Sequence, residues 1–345
     1  MEKIFDHPAL KDEKLKWMLS EGLETHPLHQ IDPEKSPEKS LAFQEPENDW
    51  KFILPFRTDE NQALLNALSS GLQSVEFEYT ENFYTDLLKL LEGVHPKYIE
   101  LHFALQRPEQ AGKALSDLMK FCKKQKITPG EFTGTLRSNT GSPAGLIDPG
   151  LAAQFSGIST LFFSAPHTGV EKKRSFQLTE IFRSLLNTME HSNEDDAEFL
   201  KRSYFRLYLD NDLLADMVKI RAFNLIWALI TDETGAGAIK PNLEVAISPG
   251  AFGKDPYNNL IAATSLSIGA ITSGAGRIYF PHIPLEKTEK LRDPATFSRR
   301  MTLNISHILR LESHFNKVVD PLAGSHFFET QATRIAEEAW EKITS

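Results

Sequence analysis

The stretch Phe205-Arg-Leu-Tyr-Leu-Asp210 is followed by a helix-like run over residues 211–230 and then by Leu243-Glu-Val-Ala-Ile-Ser248. Short apolar runs that end at turn residues predict buried strands, and a longer run with apolar residues at helical spacing predicts a helix. Two consecutive strands joined by a helix run parallel in one sheet, because the helix returns the chain to the starting edge. The stretch therefore predicts a parallel α/β fold.

The same alternation extends on both sides of this unit. Further strands are predicted at residues 52–56, 74–79, 98–105, 132–136, 159–164 and 277–280, and further helices at 61–72, 108–122 and 294–311. About eight strands without a break in composition favour a closed (β/α)8 TIM barrel. A doubly wound open sheet is the alternative, because the choice depends on the number of strands.

Residues 1–47 are predicted to form an N-terminal arm and linker that precede a barrel over residues 48–345. The polar segment of residues 30–40 contains two prolines, which interrupt a continuous helix, so we interpret it as the linker. Before it, residues 8–23 carry apolar side chains at roughly helical spacing. This spacing predicts a short amphipathic helix that docks on another surface, such as that of a partner.

Composition and charge narrow the class of protein. The 345 residues include 38 Lys and Arg against 47 Asp and Glu, and the resulting net charge of −9 disfavours a nucleic-acid partner. Cys122 is the single cysteine, which excludes an internal disulfide and suits a reducing compartment. The N-terminus lacks the apolar core of a signal peptide, and no stretch is long enough to span a membrane. We expect a cytoplasmic protein without a membrane association.

Complete phosphate-binding and metal-binding motifs are absent from the sequence. Thr234-Gly-Ala-Gly237 and Ser273-Gly-Ala-Gly276 do not complete GxGxxG, and the eleven histidines include no HExxH pair, so we expect no metal site. His167 directly follows the predicted strand at residues 159–164, where barrel enzymes place their catalytic groups. It is a candidate catalytic residue, with a hydrogen-bonded loop histidine as the simpler interpretation.

Four segments carry a family resemblance, in this order along the chain. They are Lys219-Ile-Arg-Ala-Phe-Asn-Leu-Ile-Trp-Ala228, Asp255-Pro-Tyr-Asn-Asn259, Phe297-Ser-Arg-Arg-Met-Thr-Leu-Asn-Ile305 and Val318-Val-Asp-Pro-Leu-Ala-Gly-Ser325 with Trp340. Asp255 is also suited to cap a helix that begins at Pro256. Together the segments resemble the substrate-binding barrel of the methylmalonyl-CoA mutase family. Residues 50–79 are similar to the start of the small subunits of two-chain mutases.

The resemblance implies a TIM barrel through which coenzyme A is threaded, covered by an adenosylcobalamin domain that starts a radical rearrangement of methylmalonyl-CoA and succinyl-CoA. None of the histidines here stands in the family's cobalamin motif Asp-x-His-x-x-Gly. Active chains have a histidine and a glutamine where this sequence has Glu244-Val-Ala-Ile-Ser-Pro-Gly250. Losing such groups removes catalysis by orders of magnitude.

The leading hypothesis is therefore a small-subunit chain, non-catalytic alone, in a heterodimer with a large catalytic subunit. The resemblance implies that adenosylcobalamin binds to that partner chain, and an apolar face and the N-terminal arm are expected to reach the partner. The residues expected to maintain the barrel are Asp255, Tyr257, Asn258, Asn259, Asp320 and Gly324.

Two alternatives stay open. One is an active acyl-CoA mutase barrel that works with a separate cobalamin-binding chain. That barrel would need a polar tunnel in which Arg137, Asn139, Arg206 and His167 converge, with the first three as candidate substrate-binding residues. The other is an orphan barrel that binds some other acyl-CoA or none.

Overall fold

A computed structural model describes residues 17–20, 23–25, 47–138, 149–165, 174–210, 212–285 and 293–345. Two short strands, β1 and β2, precede nine strands that form one parallel sheet. The strands are β1 (Trp17–Ser20), β2 (Leu23–Thr25), β3 (Lys51–Phe56), β4 (Ser74–Glu78), β5 (Glu100–Leu105), β6 (Thr133–Ser138), β7 (Ile158–Ser159), β8 (Leu161–Ser164), β9 (Ser203–Leu209), β10 (Asn242–Ile247) and β11 (Arg277–Tyr279).

The parallel sheet closes into a barrel. Its strand order is β7-β6-β5-β4-β3-β11-β10-β9-β8, and only Thr160 separates β7 from β8 along the chain. The first half of this interrupted strand pairs with β6 and the second half with β9. The sheet is thus an eight-stranded barrel with one broken strand, which confirms the predicted (β/α)8 fold and excludes the open sheet.

Helices follow the strands and cover the outside of the barrel. They are α1 (Asn61–Ser69), α2 (Phe83–Leu90), α3 (Ala111–Gln125), α4 (Pro149–Gln154), α5 (Ser175–Glu190), α6 (Asp196–Arg202), α7 (Leu213–Glu233), α8 (Pro256–Thr272), α9 (Pro294–His307) and α10 (His326–Thr344). Outward-facing strand residues pack against them. Phe205 of β9 makes edge-on contacts with Phe223 and Trp227 of α7, with ring centroids 5.2 and 5.1 Å apart. Each such buried side chain contributes about 1.5–3 kcal/mol.

The helix predicted over residues 8–23 is wrong where the structure describes it. β1 and β2 form an antiparallel hairpin, in which Ser20 lies opposite Leu23. The sequence offers a reason for the difference, because Gly22 stands between the two apolar stretches and glycine disfavours a helix interior. The hairpin packs on the chain's own last helix. Gln331 of α10 donates to the hydroxyl of the buried Thr25 at 3.3 Å. Residues 8–16 lie outside the described residues.

Candidate functional site

The barrel axis is filled by charged side chains from strands that face one another. Glu76 of β4, Arg206 of β9 and Glu244 of β10 each stand between apolar neighbours along their strands, and Arg137 of β6 stands between Leu136 and Ser138. Alternate strand residues point to opposite faces, so the apolar neighbours meet the helices while the charged groups meet at the axis. We call these four residues the axis network.

Both arginines of the axis network are ion-paired to both glutamates. Arg137 Nη1 lies 2.8 Å from Glu244 Oε2, and its Nη2 contacts the Glu76 carboxylate. Arg206 Nε donates to Glu244 Oε1 at 2.6 Å, and its Nη2 lies 3.5 Å from Glu76 Oε2. Tyr204 OH donates to Glu244 Oε2 at 3.0 Å. Two positive and two negative charges therefore balance.

Aromatic rings cover the faces of the two guanidinium groups. The Cζ atom of Arg206 lies 4.6 Å from the ring centroid of Tyr279 and 5.6 Å from that of Phe162. For Arg137 the corresponding distances are 5.5 and 5.9 Å. Cation–π contacts of this kind gain strength when the groups are removed from water. The rings and carboxylates together leave these arginines little surface for another ligand.

Burial and ion pairing together shift the pKa values of residues in and beside the axis network. Arg137 is 1% exposed and Glu244 is 0% exposed, so no water-sized space touches the Glu244 side chain. Burial alone would raise the pKa of Glu244, but the charges of Arg137 and Arg206 lower it to about 2. Burial raises the pKa of Tyr204 well above its ordinary value, which keeps its hydroxyl as a donor to Glu244. Burial and the neighbouring charge of Arg206 lower the pKa of Arg137.

A second charged layer lies next to the axis network, toward the amino ends of the strands. Arg277 of β11 forms a bidentate ion pair with Glu100 of β5, with distances of 2.8 and 2.9 Å. Lys51 Nζ lies 2.9 Å from the same carboxylate. Burial alone would raise the pKa of Glu100, but the neighbouring side chains of His102 and Arg277 lower it well below the ordinary value. Charged pairs thus fill the axis over at least two layers.

His102 has no free ring nitrogen for a metal or a cobalt cofactor. Both ring nitrogens are occupied, since Nε2 lies 2.9 Å from Ser74 Oγ and Nδ1 lies 2.8 Å from Thr135 Oγ1. The side chain is fully buried and its ring packs on Tyr204. Among the described residues, no group of three or more His, Cys, Asp or Glu is arranged to hold a metal ion. His102 and its surroundings therefore do not fit cobalt ligation.

The candidate substrate and catalytic residues divide into two groups. Arg137 and Arg206 converge inside the barrel, as the alternative of an active barrel requires, but glutamates hold both of them. Asn139 and His167 lie outside the described residues. The two arginines thus meet inside the barrel, and glutamates of the same chain neutralise their charges.

The Asp255 segment begins α8. Asp255 Oδ1 accepts hydrogen bonds from the backbone N–H groups of Tyr257 and Asn258 at 2.8 and 3.1 Å, as an N-cap does. Asn259 is buried, and its amide accepts from Gly253 N at 2.8 Å and donates to Pro284 O at 3.0 Å. The adjacent asparagines therefore differ, because Asn258 is exposed while Asn259 joins two loops.

Arg221 of α7 joins the first and the last of the four family-like segments. Its Nη1 lies 2.9 and 3.0 Å from the carboxylate oxygens of Asp320, and its Nη2 contacts Glu329 at the start of α10. We call Arg221, Asp320 and Glu329 the outer cluster. Gly324, in the turn between these carboxylates, has φ +75, a conformation that favours glycine. These contacts explain the spacing of the segments, and the role of the residues in maintaining the barrel stays a prediction.

Sequence reasoning missed the carboxylates that hold the two arginines. A signal was present, since Glu76, Glu100 and Glu244 each interrupt a strand that is otherwise suited to full burial. Arg137, Arg206 and Arg277 interrupt three other strands in the same way. Three acidic and three basic interruptions indicate mutual pairing inside a barrel, because buried charges need partners.

Comparison with known proteins places the family-like region in the second half of the chain. Residues 185–345 match the family model of methylmalonyl-CoA mutase. A probable methylmalonyl-CoA mutase small subunit of Mycobacterium bovis is 30% identical over 153 residues, which cover 43% of this chain and 24% of that protein. A methylmalonyl-CoA mutase small subunit of Streptomyces virginiae is 30% identical over 139 residues, covering 40% and 22%. The matched region thus spans about a quarter of these relatives.

Among solved structures, a dihydropteroate synthase from Xanthomonas albilineans in complex with 7,8-dihydropteroate is similar with a TM-score of 0.40 and 10% sequence identity. The superposition covers 77% of this chain and 99% of that one. Within the described residues, no helix combines the length and apolar character needed to cross a membrane.

Proposed function

The chain belongs to the methylmalonyl-CoA mutase family and is of its small-subunit type, and we propose that it is the non-catalytic subunit of a cytoplasmic heterodimer. In this proposal a large subunit holds adenosylcobalamin and acyl-CoA and interconverts methylmalonyl-CoA and succinyl-CoA. The present chain stabilises that subunit. Its barrel retains the fold of a substrate-binding barrel without the open axis.

The axis network is the observation that carries this proposal. A substrate threaded along the axis needs free volume, whereas Arg137 and Glu244 are almost fully buried and bonded to each other. Separating Glu244 from Arg137 and Arg206 would leave buried charges without partners, so opening the axis network has a large energetic cost. A barrel that is closed in this way is suited to a structural role.

The assignment of adenosylcobalamin to the partner rests on the histidines of this chain. The motif Asp-x-His-x-x-Gly is absent from the sequence, and His102 is enclosed by its own hydrogen bonds. No step of the rearrangement is therefore assigned to residues of this chain.

An exposed part of α8 is suited to contact the large subunit. Tyr257 and Ile261 lie one helical turn apart and are 70% and 64% exposed. Large apolar side chains in neighbouring exposed positions mark protein contacts. Ile261→Asp should then weaken the heterodimer, while Tyr98→Asp, at an exposed residue just before β5, serves as the control.

The test is mutase turnover with adenosylcobalamin and methylmalonyl-CoA, measured for this chain alone, the large subunit alone and the co-purified pair. We expect no turnover from this chain and a stable, active pair. A chain that never associates with a large subunit would overturn the proposal. Turnover by this chain with only a separate cobalamin-binding chain added would establish the alternative of an active acyl-CoA barrel. The observation that favours this alternative is the convergence of Arg137 and Arg206 inside the barrel.

A further inference from the structure

A groove of about 350 Å³ lies between α1 and α9 on the outside of the barrel. Ala63 and Ala67 of α1 and Leu303 of α9 form an apolar part of its lining. The alanine methyl groups are short, so space remains between the two helices. Cavities of this size commonly hold small organic ligands.

One end of the groove is closed by a fixed histidine. His307 Nε2 lies 2.8 Å from the carbonyl oxygen of Ser70, which can only accept, so this nitrogen donates. The adjoining Gly71 has φ +90, and a Cβ atom there would lie 3.0 Å from His307 Cε1. Because this turn lies against the imidazole ring, the ring of His307 forms the surface at this end of the groove. The groove is therefore a bounded site rather than a continuous furrow.

Two arginines line the groove, and only one of them is compensated. Arg299 donates to Glu60 Oε2 at 2.7 Å, and its guanidinium Cζ lies 4.4 Å from the Phe56 ring centroid. Arg300 is exposed, and its Cζ lies 5.2 Å from the Phe297 ring centroid. Within the described part of the chain, no carboxylate pairs with Arg300 or lines the groove.

We propose that this groove binds a small organic anion. Its carboxylate or phosphate group pairs with Arg300, and a short apolar body covers Ala63, Ala67 and Leu303. Asn66 contributes a further donor, because its Oδ1 already accepts from Gln62 at 3.1 Å, leaving its amide N–H group directed to other partners. An acidic protein of net charge −9 repels anions in general, so a site of this kind depends on local positive charge.

The test uses 4-(trifluoromethyl)benzoate and 4-(trifluoromethyl)phenyl phosphate as probes, titrated against the full chain and followed by fluorine NMR. We expect saturable binding of at least one probe, which identifies the preferred anionic group. Arg300→Gln should weaken it about tenfold, because a charge-assisted hydrogen bond is lost. Ala63→Leu, which fills the groove, should abolish it. Arg107→Gln, at an exposed arginine after β5, is the matched control and should leave binding unchanged.

Several results would overturn the proposal. One is that neither probe binds saturably. A second is that the neutral 4-(trifluoromethyl)benzamide binds as tightly as the anionic probes, and a third is that Arg107→Gln weakens binding as much as Arg300→Gln does. Binding that survives Ala63→Leu in a folded protein would place the anion elsewhere. Mutase activity does not enter this test, so its outcome is independent of the proposed function.

Discussion

The axis network and the outer cluster are both buried arginine–carboxylate groups, but they draw on different parts of the chain. Arg137 and Glu244 are 107 residues apart and join strands from both halves of the barrel. Arg221, Asp320 and Glu329 all fall within residues 185–345, the region that matches the family model. The outer cluster lies wholly within the matched region, whereas the axis network joins Arg206 and Glu244 from that region to Glu76 and Arg137 from outside it. The difference teaches that the interior of this barrel depends on both parts of the chain, while the outer cluster needs only one.

The largest effect is expected from Glu244→Gln in the axis network. The substitution leaves Arg137 and Arg206 with one carboxylate between them in a dry interior, which should cost about 3–5 kcal/mol of unfolding free energy. Urea unfolding measures this cost. Glu109→Gln, at an exposed glutamate, should change stability by less than about 0.5 kcal/mol. A loss below about 1 kcal/mol for Glu244→Gln would show that the network contributes little net stability.

Arg221→Met tests the outer cluster and should cost about 2–3 kcal/mol, because Asp320 and Glu329 then lose their shared cation. The effect should be smaller than for Glu244, since the side chains of Asp320 and Glu329 are each 7% exposed whereas that of Glu244 is fully buried. Thermal or urea unfolding measures it, with Arg183→Met at a half-exposed arginine as control. If Arg221→Met destabilises more than Glu244→Gln, the ranking of the two clusters is reversed.

Acid should weaken the axis network selectively. The folded-state pKa of Glu244 is about 2, below its value in an unfolded chain, so its contribution is complete above about pH 5 and is lost as the pH falls toward 2. A shift of this size corresponds to about 3 kcal/mol. The stability difference between the wild type and Glu244→Gln, measured by urea unfolding from pH 6 to pH 3, should therefore shrink. A difference that stays constant would contradict the low pKa.

The smallest effect is expected from Asp255→Ala at the start of α8. Two backbone N–H groups lose their acceptor, which should cost about 1 kcal/mol. Asp255→Asn keeps an acceptor oxygen and should be nearly neutral in an unfolding assay. Equal losses from both substitutions would indicate that the charge of Asp255, rather than the cap, stabilises this part of the scaffold.

Much of the barrel was predictable from sequence because each strand is a local pattern. The predicted strand at residues 74–79 is observed as Ser74–Glu78, and that at 243–248 as Asn242–Ile247. The interruption at Thr160 was not predicted, because the apolar residues at 161–163 and the short polar residues beside them are typical of one continuous strand. The error over residues 17–23 has a similar origin, since helical spacing outweighed a single turn glycine.

The candidate site was only half predictable. Arg137 and Arg206 could be selected as polar residues on barrel strands, but their partners depend on which strands face each other across the axis. Glu76 and Arg206 are 130 residues apart and meet only after the barrel has closed. Asp255, by contrast, bonds to residues two and three positions away, so its cap was predictable from sequence.

The separation of 107 residues between Arg137 and Glu244 also sets an order of events during synthesis. At about 5–20 residues per second, a ribosome needs on the order of 5–20 s to make Glu244 after Arg137. During that interval Glu76 is the one carboxylate of the axis network that has already been made. Because Glu244 is the last member of the axis network to be synthesised, the full charge balance along the axis is reached only after β10 has joined the sheet.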